Sequence, residues 1–248
     1  MPYQIEYACV NIKGGVRESN QDNFYAQERY RYGKEKFNDI TKFGTLTSDD
    51  NAILAVYDGM GGESCGDMAS LLAARGTLDF DRMPGDGAEI LRDLCLSLND
   101  AVCEFAWVNH IRTMGSTAAI MRFEPSCLYC CNLGDSRIYR LSGGQILQLS
   151  HDHSVKDYYR KKAPLTQYLG IPTDEIMITP HIVREEYVPG TRYLACSDGI
   201  TDMVTDEDIA RIVAAAPTVR EGTLTLVSQA LQHGGVDNIT AILCEIKA

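Results

Sequence analysis

Two aspartates stand where an apolar run of the chain stops, and each is followed directly by glycine. Asp58 follows the run in ILAVYDGMGG, and Asp198 follows the run in RYLACSDGI. One Asp-Gly pair is more often a turn than a functional site. The alternative is a metal ligand, because a carboxylate on a rigid strand end is well positioned and glycine lets a backbone carbonyl or a ligand approach closely.

The metal interpretation gains weight because similar acids recur along the chain. Asp22 in RESNQDN, Asp135 in NLGDSR and Asp237 in VDNIT each border a strand-like segment or a loop. No histidine or cysteine of comparable regularity stands near them in the sequence. A ligand set made of oxygen atoms is typical of Mg²⁺ or Mn²⁺ rather than of zinc.

Most segments around these acids are predicted β-strands, because they are short, rich in Ile, Val, Tyr and Cys, and bounded by Gly, Asp or Pro. They are IEYACVNI, NAILAVYD, TAAIMRFE, CLYCCNLG, SRIYRLS, QILQLS, RYLACSD and TAILCEI. The pair Gly143 and Gly144 in RLSGGQIL predicts a tight hairpin between two of these strands.

Four longer segments are predicted helices: CGDMASLLAARGTLDF, AEILRDLCLSLNDAVCEFAWVNH, TDEDIARIVAAA and EGTLTLVSQALQH. Leu91, Leu94 and Leu98 recur at helical spacing in the second, and Thr205 is a good N-cap for the third. The middle of the chain lacks a helix after each strand, which argues against a parallel doubly wound sheet. The order predicts an α+β sandwich of two mainly antiparallel sheets with helices outside them. No repeat or linker divides the sequence, so one domain spanning residues 1–248 is expected.

Composition narrows the functional classes. The net charge of −11 argues against nucleic acid as a partner, since a phosphate backbone needs a basic face. No apolar run approaches the roughly 20 residues that cross a bilayer, so no membrane span is expected. The N-terminal segment has no secretory pattern. The nine cysteines are scattered, and no second Cys or His pair at suitable spacing follows Cys127, Cys130 and Cys131 to complete a zinc site, which predicts reduced thiols and a cytoplasmic location.

An ordered set of motifs from Arg17 to Asn238 resembles the metal-dependent protein phosphatases of the protein phosphatase 2C family, especially its compact bacterial members. The motifs are RxxNQD, DGMGG, GST, NLGDSR, DHS, SDG and DN. Each motif alone is weak, but seven in the family's order form a strong signal. The resemblance implies a four-layer α-β-β-α sandwich that hydrolyses phosphoserine and phosphothreonine in proteins. It also implies an opposing Ser/Thr kinase.

The resemblance further implies a binuclear Mn²⁺ or Mg²⁺ centre, with a weaker third metal ion. By matching motif, Asp58 would bridge the two tightly bound ions, and the Gly59 carbonyl would bind one of them. Asp198 and Asp237 would hold the other ion, while Asp22 would act mainly through metal-bound water. A water or hydroxide bridging the two ions would then attack the phosphate without a covalent enzyme intermediate.

The remaining site residues take their roles from the same resemblance. Arg17 would grip the substrate phosphate, a task that suits its planar guanidinium. Asp135 would help Asp198 to bind the third metal ion. Asn238 would lie near the bridging water.

Two other functions compete with this interpretation. CNLGDSR, from Cys131 to Arg137, has the spacing of a cysteine-dependent phosphatase. Such a site needs a thiolate of low pKa and a helix after the phosphate loop, whereas IYRLS is a predicted strand. A non-catalytic pseudophosphatase that acts as a binding module would lack one of the metal acids, and all of them are present.

This chain departs from the family pattern at a few positions, and these departures lead to narrower predictions. Many family members have histidine where this chain has Met60, and bacterial relatives often have histidine at the position of Glu63. Methionine cannot donate a proton, so metal-bound water is expected to protonate the leaving oxygen. Between DHS and PLTQYLG, only Val155 to Ala163 remain for a flap, which predicts an open cleft. Arg160, Lys161 and Lys162 in that stretch are either a solvated helix end or, if they face the cleft, a patch that attracts acidic phosphopeptides. The SHDHS segment is expected to be structural.

Overall fold

The strands form two sheets, and every strand pair in them is antiparallel. The structure is a computed structural model that describes residues 2–32, 39–155 and 164–247, without the side chains of residues 62–64. In chain order the strands are β1 (Gln4–Ile12), β2 (Asp22–Ala26), β3 (Ile40–Thr47), β4 (Ile53–Met60), β5 (Gly115–Ser116), β6 (Ala118–Phe123), β7 (Cys127–Leu133), β8 (Arg137–Ser142), β9 (Gln145–Gln148), β10 (His181–Glu186), β11 (Arg192–Cys196) and β12 (Ile239–Lys247).

The first sheet has the strand order β3-β1-β12-β11-β8-β9, and the second has the order β10-β7-β6-β4-β2. The two-residue strand β5 pairs with the end of β4. The first and last strands lie side by side, since β1 pairs with β12 from Gln4↔Lys247 to Ile12↔Ile239. The segment just before β12, which carries Asp237, therefore lies beside the end of β1.

In the described ranges the helices lie on the outer faces of the sheets and are α1 (Gly62–Gly76), α2 (Gly87–Val108), α3 (Asp198–Thr201), α4 (Asp206–Ala215) and α5 (Val219–Gln232). Alternating side chains of each strand point to opposite faces. In β1, Ile5 and Cys9 belong to the core between the sheets, whereas Ala8 and Val10 pack in the cluster that holds α4 and α5. On the other side, Leu91 and Leu94 of α2 pack against the second sheet. The predicted four-layer α-β-β-α sandwich is confirmed.

Local signals in the sequence account for the confirmed elements. The Thr205 side chain caps α4 by accepting a hydrogen bond from the backbone N–H of Asp208 at 3.2 Å. Gly143 and Gly144 join β8 to β9 with φ of 58° and 77°, the left-handed values that a two-residue hairpin turn requires.

Four strands in the described residues were not predicted from the sequence: β2, β3, β10 and the two-residue β5. Strands β2, β3 and β10 lie at sheet edges, where a continuous apolar run is not required. Half of the residues of strand β3 (ITKFGTLT) are exposed, and it contains lysine and glycine, while β10 (HIVREE) ends in charged residues.

Some expectations fall outside what the structure describes. The predictions of a shortened flap and of a role for Arg160, Lys161 and Lys162 fall on residues 156–163, which are outside the described residues, as is the side chain of Glu63. The single domain spanning residues 1–248 stays a prediction. None of the helices in the described ranges combines the length and apolar character that a membrane crossing requires.

Candidate metal centre

The second sheet supplies two of the predicted acids from neighbouring strands. Asp22 starts β2 and lies directly opposite Asp58 of β4 in the strand register. The next residues on the same face, Phe24 and Val56, are opposite each other and belong to the core between the sheets. Because side chains alternate along a strand, Asp22 and Asp58 also face the space between the two sheets.

The first sheet supplies two more acids at the same end of the sandwich. Strand β11 ends at Cys196, Ser197 is the N-cap of α3, and Asp198 is the first residue of that short helix. The Ser197 N–H donates to the Thr240 carbonyl at 3.0 Å, which ties this corner to β12 just after Asp237. Each sheet therefore brings two aspartates to this end of the sandwich, and the charges of Asp198 and Asp237 act on Asp22 across the space between the sheets.

A buried ring of hydrogen bonds holds Asp22. Its Oδ2 accepts from the hydroxyls of Ser197 and Thr240, both at 2.7 Å. Asn11 Nδ2 donates to Thr240 Oγ1 at 2.7 Å, and Asn11 Oδ1 accepts from Asn20 Nδ2 at 2.8 Å. Asn20 Oδ1 closes the ring by accepting from the Asp22 N–H at 3.1 Å. The carboxylate is thus fixed by three segments that are distant in sequence.

The electrostatics of Asp22 reflect its surroundings. Its side chain is 1% exposed, and burial raises its pKa from the ordinary value to about 7. The hydroxyls of Ser197 and Thr240 oppose this pKa shift, while the charges of Asp198 and Asp237 add to it. A bound cation would relieve the repulsion among these carboxylates and favour their ionised forms.

Close backbone contacts explain why glycine follows the acids. A Cβ on Gly59 would lie 1.9 Å from the carbonyl oxygen of Gly66, and a Cβ on Gly199 would lie 2.0 Å from that of Asn238. Gly59 lies within a strand and Gly199 within a helix, so neither is a turn residue. The turn interpretation of both Asp-Gly pairs is wrong, and the close-approach interpretation is confirmed.

Arg17 places a positively charged guanidinium beside the acids. Its Nη2 bonds Asp237 Oδ2 at 2.8 Å, and its side chain is half exposed. The hydrogen bond to Asp237 raises the pKa of Arg17, and the charges of Asp237, Asp198 and Asp58 raise it further. Sequence reasoning predicted a phosphate-binding role for Arg17 but not this ion pair, which depends on two segments more than 200 residues apart.

Asn238 anchors the loop that leads to Asp22. Its Oδ1 accepts from the Gln21 N–H at 2.8 Å, and its Nδ2 donates to the carbonyls of Lys13 and Ser19, each at 2.8 Å. The predicted place of Asn238 near a bridging water stays a prediction.

Asp135 lies in the β7–β8 connection, which is tied to Asp58 through Thr117. The hydroxyls of Ser136 and Thr117 lie 2.6 Å apart, and Thr117 Oγ1 accepts from the Asp58 N–H at 3.0 Å. His153 supports the same connection, because its N–H donates to the Gly134 carbonyl and its Nδ1 accepts from the Gly134 N–H. The contacts of His153 agree with the structural role expected for SHDHS.

The donor set of this end of the sandwich suits a hard divalent cation. It offers the carboxylates of Asp22, Asp58, Asp198 and Asp237, with Asp135 nearby in the fold, and backbone carbonyls such as that of Gly59. Within the described residues, however, no three His, Cys, Asp or Glu side chains converge tightly enough to form a ready-made metal group. The assignment of individual ligands stays a prediction.

The cysteine-dependent alternative is contradicted by the environment of Cys131. This thiol is fully buried in β7, with its Sγ 3.6 Å from that of Cys95, and hydrogen bonding and burial raise its pKa well above the ordinary value. Arg137 binds the Asp152 carboxylate at 2.7 Å, and its own segment is strand β8. No thiolate, phosphate loop or following helix is present at these residues.

The sequence analysis did not identify the uncharged side chains that form hydrogen bonds with the acids. Ser197, Thr240 and Thr117 bond Asp22 or the backbone of Asp58, yet each lies within the motifs SDG, DNIT and GST. Their proximity to the acids in sequence was a usable signal. Asn11 gave none, because a lone asparagine inside an apolar strand does not indicate its partner.

Comparison with known proteins agrees with this architecture. A family model described as Protein phosphatase 2C matches residues 37–233. The serine/threonine protein phosphatase PstP of Mycobacterium tuberculosis is 28% identical over 255 residues, which cover 98% of this chain and 45% of PstP. The chain therefore spans less than half the length of that relative. The serine/threonine phosphatase stp of Listeria monocytogenes is 28% identical, with 89% of this chain and 95% of stp covered.

Solved structures extend the similarity to three dimensions. A crystal structure of M. tuberculosis PstP matches with a TM-score of 0.81 at 26% identity, covering 99% of this chain and 100% of that one. The PstP catalytic domain in complex with two manganese ions matches with a TM-score of 0.80, at the same identity and coverage. By the family model over residues 37–233, the chain belongs to the protein phosphatase 2C family.

Proposed function

We propose that this protein is a metal-dependent phosphatase that hydrolyses phosphoserine and phosphothreonine in other proteins. The observation that carries the proposal is the meeting of two pairs of aspartates, one from each sheet, at one end of the sandwich. Family membership supports the reaction class, and the names of the relatives support Ser/Thr phosphoproteins as substrates. An opposing Ser/Thr kinase is part of the same proposal.

The ligands we assign are Asp58, the Gly59 carbonyl, Asp198 and Asp237, with Asp22 acting through water and Asp135 at a weaker third position. The manganese ions in the PstP catalytic domain support Mn²⁺ or Mg²⁺ as the ions. When bound, such ions supply an activated water and offset the negative charge of the phosphate monoester.

The protein's own groups divide the remaining work. Arg17 is the exposed cation at the rim, and it exchanges its bond to Asp237 for one to the substrate phosphate. Asn238 holds the Lys13–Gln21 loop, which keeps Asp22 at a fixed position. The ring of Ser197, Thr240, Asn11 and Asn20 leaves only one oxygen of Asp22, Oδ1, outside its bonds.

A reducing compartment is consistent with this proposal. All nine cysteines lie in the described residues and none is in a disulfide. Disulfides are rare in the cytosol, where thiols are kept reduced. We therefore place the activity in the cytoplasm.

The experiment is hydrolysis of p-nitrophenyl phosphate and of a phosphothreonine peptide with and without Mn²⁺, with a chelator as the second arm. We expect turnover that requires the metal, is abolished by the chelator and is largely retained by Cys131→Ser. Turnover that survives chelation would contradict the metal mechanism. Mn²⁺ binding without any turnover would indicate a pseudophosphatase that acts as a binding module.

A further inference from the structure

Arg31 lies directly behind the loop that carries Asp22. Arg31 follows the turn at Gln27 and Glu28 that leaves β2, and it is buried, with 8% exposure. Nη2 donates to the Asn20 carbonyl at 2.6 Å and to the Asp22 carbonyl at 3.1 Å, and Nε donates to the Asp22 carbonyl at 3.2 Å. The planar guanidinium thus bridges two carbonyls on either side of Gln21.

The segment that carries Arg31 is itself fixed by Asn23. The Arg31 N–H donates to Asn23 Oδ1 at 2.8 Å, and Asn23 Nδ2 donates to the Arg31 carbonyl at 3.0 Å. Asn23 is fully buried and stands next to Asp22 in β2. Asn23 therefore holds the Arg31 backbone beside the start of β2, where the guanidinium can reach the Asp22 carbonyl.

The charge of Arg31 is held in an unusual way. Buried arginines are ordinarily paired with a carboxylate. Here the hydrogen-bonded partners found in the described part of the chain are backbone carbonyls, while the carboxylates of Asp22 and Asp67 act on it through space. Burial lowers the pKa of Arg31 and opposes those two charges. Burying a charged guanidinium costs free energy, so its presence here indicates that the geometry of the backbone it binds is important.

Three consecutive carbonyls of the loop are engaged. Arg31 binds those of Asn20 and Asp22, and the Gln21 carbonyl accepts from the Gly59 N–H at 3.1 Å and from Ser70 Oγ at 2.6 Å. Asp58 precedes Gly59, so the same contacts join the backbones of two candidate ligand positions. Removal of Arg31 would release two of the three carbonyls.

We propose that Arg31 is a positioning residue for the candidate metal centre. It fixes the peptide groups around Gln21 and thereby the position at which Asp22 enters the cluster, without touching metal or substrate. This inference rests on the proposed function, because the cluster must bind metal for the position of Asp22 to matter.

The test compares Arg31→Met and Arg31→Lys with a matched control, Arg192→Met. Arg192 also donates to two backbone carbonyls, those of Val213 and Ala216, but it lies at the opposite end of β11 from Asp198. Calorimetric titration with Mn²⁺ should give an affinity roughly 10-fold to 100-fold weaker for Arg31→Met, the range seen when outer-shell partners of a metal site are removed. Arg192→Met should bind Mn²⁺ like the wild type, although it also loses stability.

A second measurement needs no metal. Hydrogen exchange of the Gln21 and Asp22 amides, which donate to Asn238 and Asn20, should accelerate in Arg31→Met more than exchange elsewhere in the protein. If Arg31→Met does not fold, Arg31→Lys decides, because one ammonium cannot reproduce the fork and should weaken Mn²⁺ binding.

The outcomes separate the inference from the proposed function. Wild-type Mn²⁺ affinity in a folded Arg31 variant would overturn the positioning role and leave the proposed function intact. Failure of the wild-type protein to bind Mn²⁺ would overturn the proposed function and the inference with it.

Discussion

The two Asp-Gly corners of this protein, Asp58-Gly59 and Asp198-Gly199, follow similar sequences, LAVYDG and LACSDG, but differ in secondary structure. At the first, β4 continues through Asp58 and Gly59 as far as Met60. At the second, β11 ends at Cys196, and Asp198 and Gly199 form the first turn of α3. One acid therefore stands on a strand and the other on a helix, although both follow a buried apolar run.

In both corners, the backbone of another segment lies in close contact with the glycine. Gly66 of α1 crosses Gly59, and the Asn238 carbonyl faces Gly199. Asn238 is itself a candidate site residue, and the Gln21 carbonyl, which would lie 2.5 Å from a Cβ on Gly59, precedes Asp22. The Asp-Gly pattern thus reports close packing around an acid and not a particular secondary structure.

Replacing either corner glycine should have the largest effect. Gly59→Ala and Gly199→Ala each place a methyl group about 2 Å from a carbonyl oxygen, which only backbone movement can relieve. We expect a loss of about 3 kcal/mol or more in the free energy of unfolding, at the upper end of overpacking effects. Urea unfolding of the metal-free protein measures it.

Gly143→Ala is the matched control for the glycine variants. Gly143 has φ of 58°, but no atom lies within 4 Å of its Cβ position. Its cost should come from backbone strain alone, roughly 1–2 kcal/mol. Equal losses at Gly143 and at the two corners would show that close approach is not what selects glycine there.

The second comparison is between the acids themselves. Asp58→Asn and Asp198→Asn should each lower metal-dependent kcat/KM at least about 100-fold, because removing a ligand should cost no less than removing a partner of one. The Asp198→Asn fold should stay intact, since the substitution removes repulsion from a cluster of carboxylates. Steady-state kinetics with saturating Mn²⁺ and urea unfolding provide the two readouts.

Asp81→Asn serves as the control for charge removal. Asp81 is a buried acid at the opposite end of β4, where it accepts from the Ile53 N–H and the Tyr25 hydroxyl. Its loss should lower stability and leave the Mn²⁺ dependence unchanged. Near-wild-type turnover of a metal-saturated Asp198→Asn protein would remove Asp198 from the ligand set.

The same two corners show how far the sequence alone could lead. Strand β4 and strand β11 are continuous apolar runs, and their burial on both faces makes such strands recognisable. The acids at their ends were identified from composition and motif order. The edge strand β2, which carries Asp22, was missed because DNFYA is short and begins with two polar residues.

Contacts between distant segments were beyond sequence reasoning. The bond from Thr240 to Asp22 joins residues 218 positions apart, and the Arg17–Asp237 pair spans 220. Nothing in either local sequence indicates the partner, because the pairing follows from how the two sheets stack. Arg31 is a similar case, since an arginine in a polar turn resembles a solvated surface residue until the fold buries it.

A smaller effect is expected in the pH dependence of the free energy of unfolding, to which Asp22 should contribute. The pKa of Asp22 is raised to about 7 in the folded, metal-free protein, whereas an unfolded aspartate titrates near 4. The folded state therefore binds the proton more tightly, so stability should fall as pH rises through 7. Between pH 5.5 and pH 8, this group should remove roughly 2 kcal/mol of unfolding free energy.

Asp22→Asn isolates that contribution from other titrating groups. Its amide oxygen can still accept from Ser197 and Thr240, but it has no charge to lose. Urea unfolding at both pH values should show a smaller decline for Asp22→Asn than for the wild type. Parallel pH profiles for the two proteins would mean that Asp22 titrates near its ordinary value.

The smallest effect is expected at Met60, which ends the first corner. Met60 pairs with Gly115 and is partly exposed beside the site, at the position where many family members carry histidine. A thioether has no proton to give, so truncation to alanine removes only packing around the cleft. Met60→Ala should change kcat by less than about threefold, since general acid catalysis, which is worth about 100-fold or more, is not lost. The measurement is kcat for a phosphothreonine peptide at saturating Mn²⁺, with Mn²⁺ affinity determined on the same samples. A collapse of kcat with unchanged Mn²⁺ affinity would assign Met60 a role in the chemical step that its side chain does not suggest.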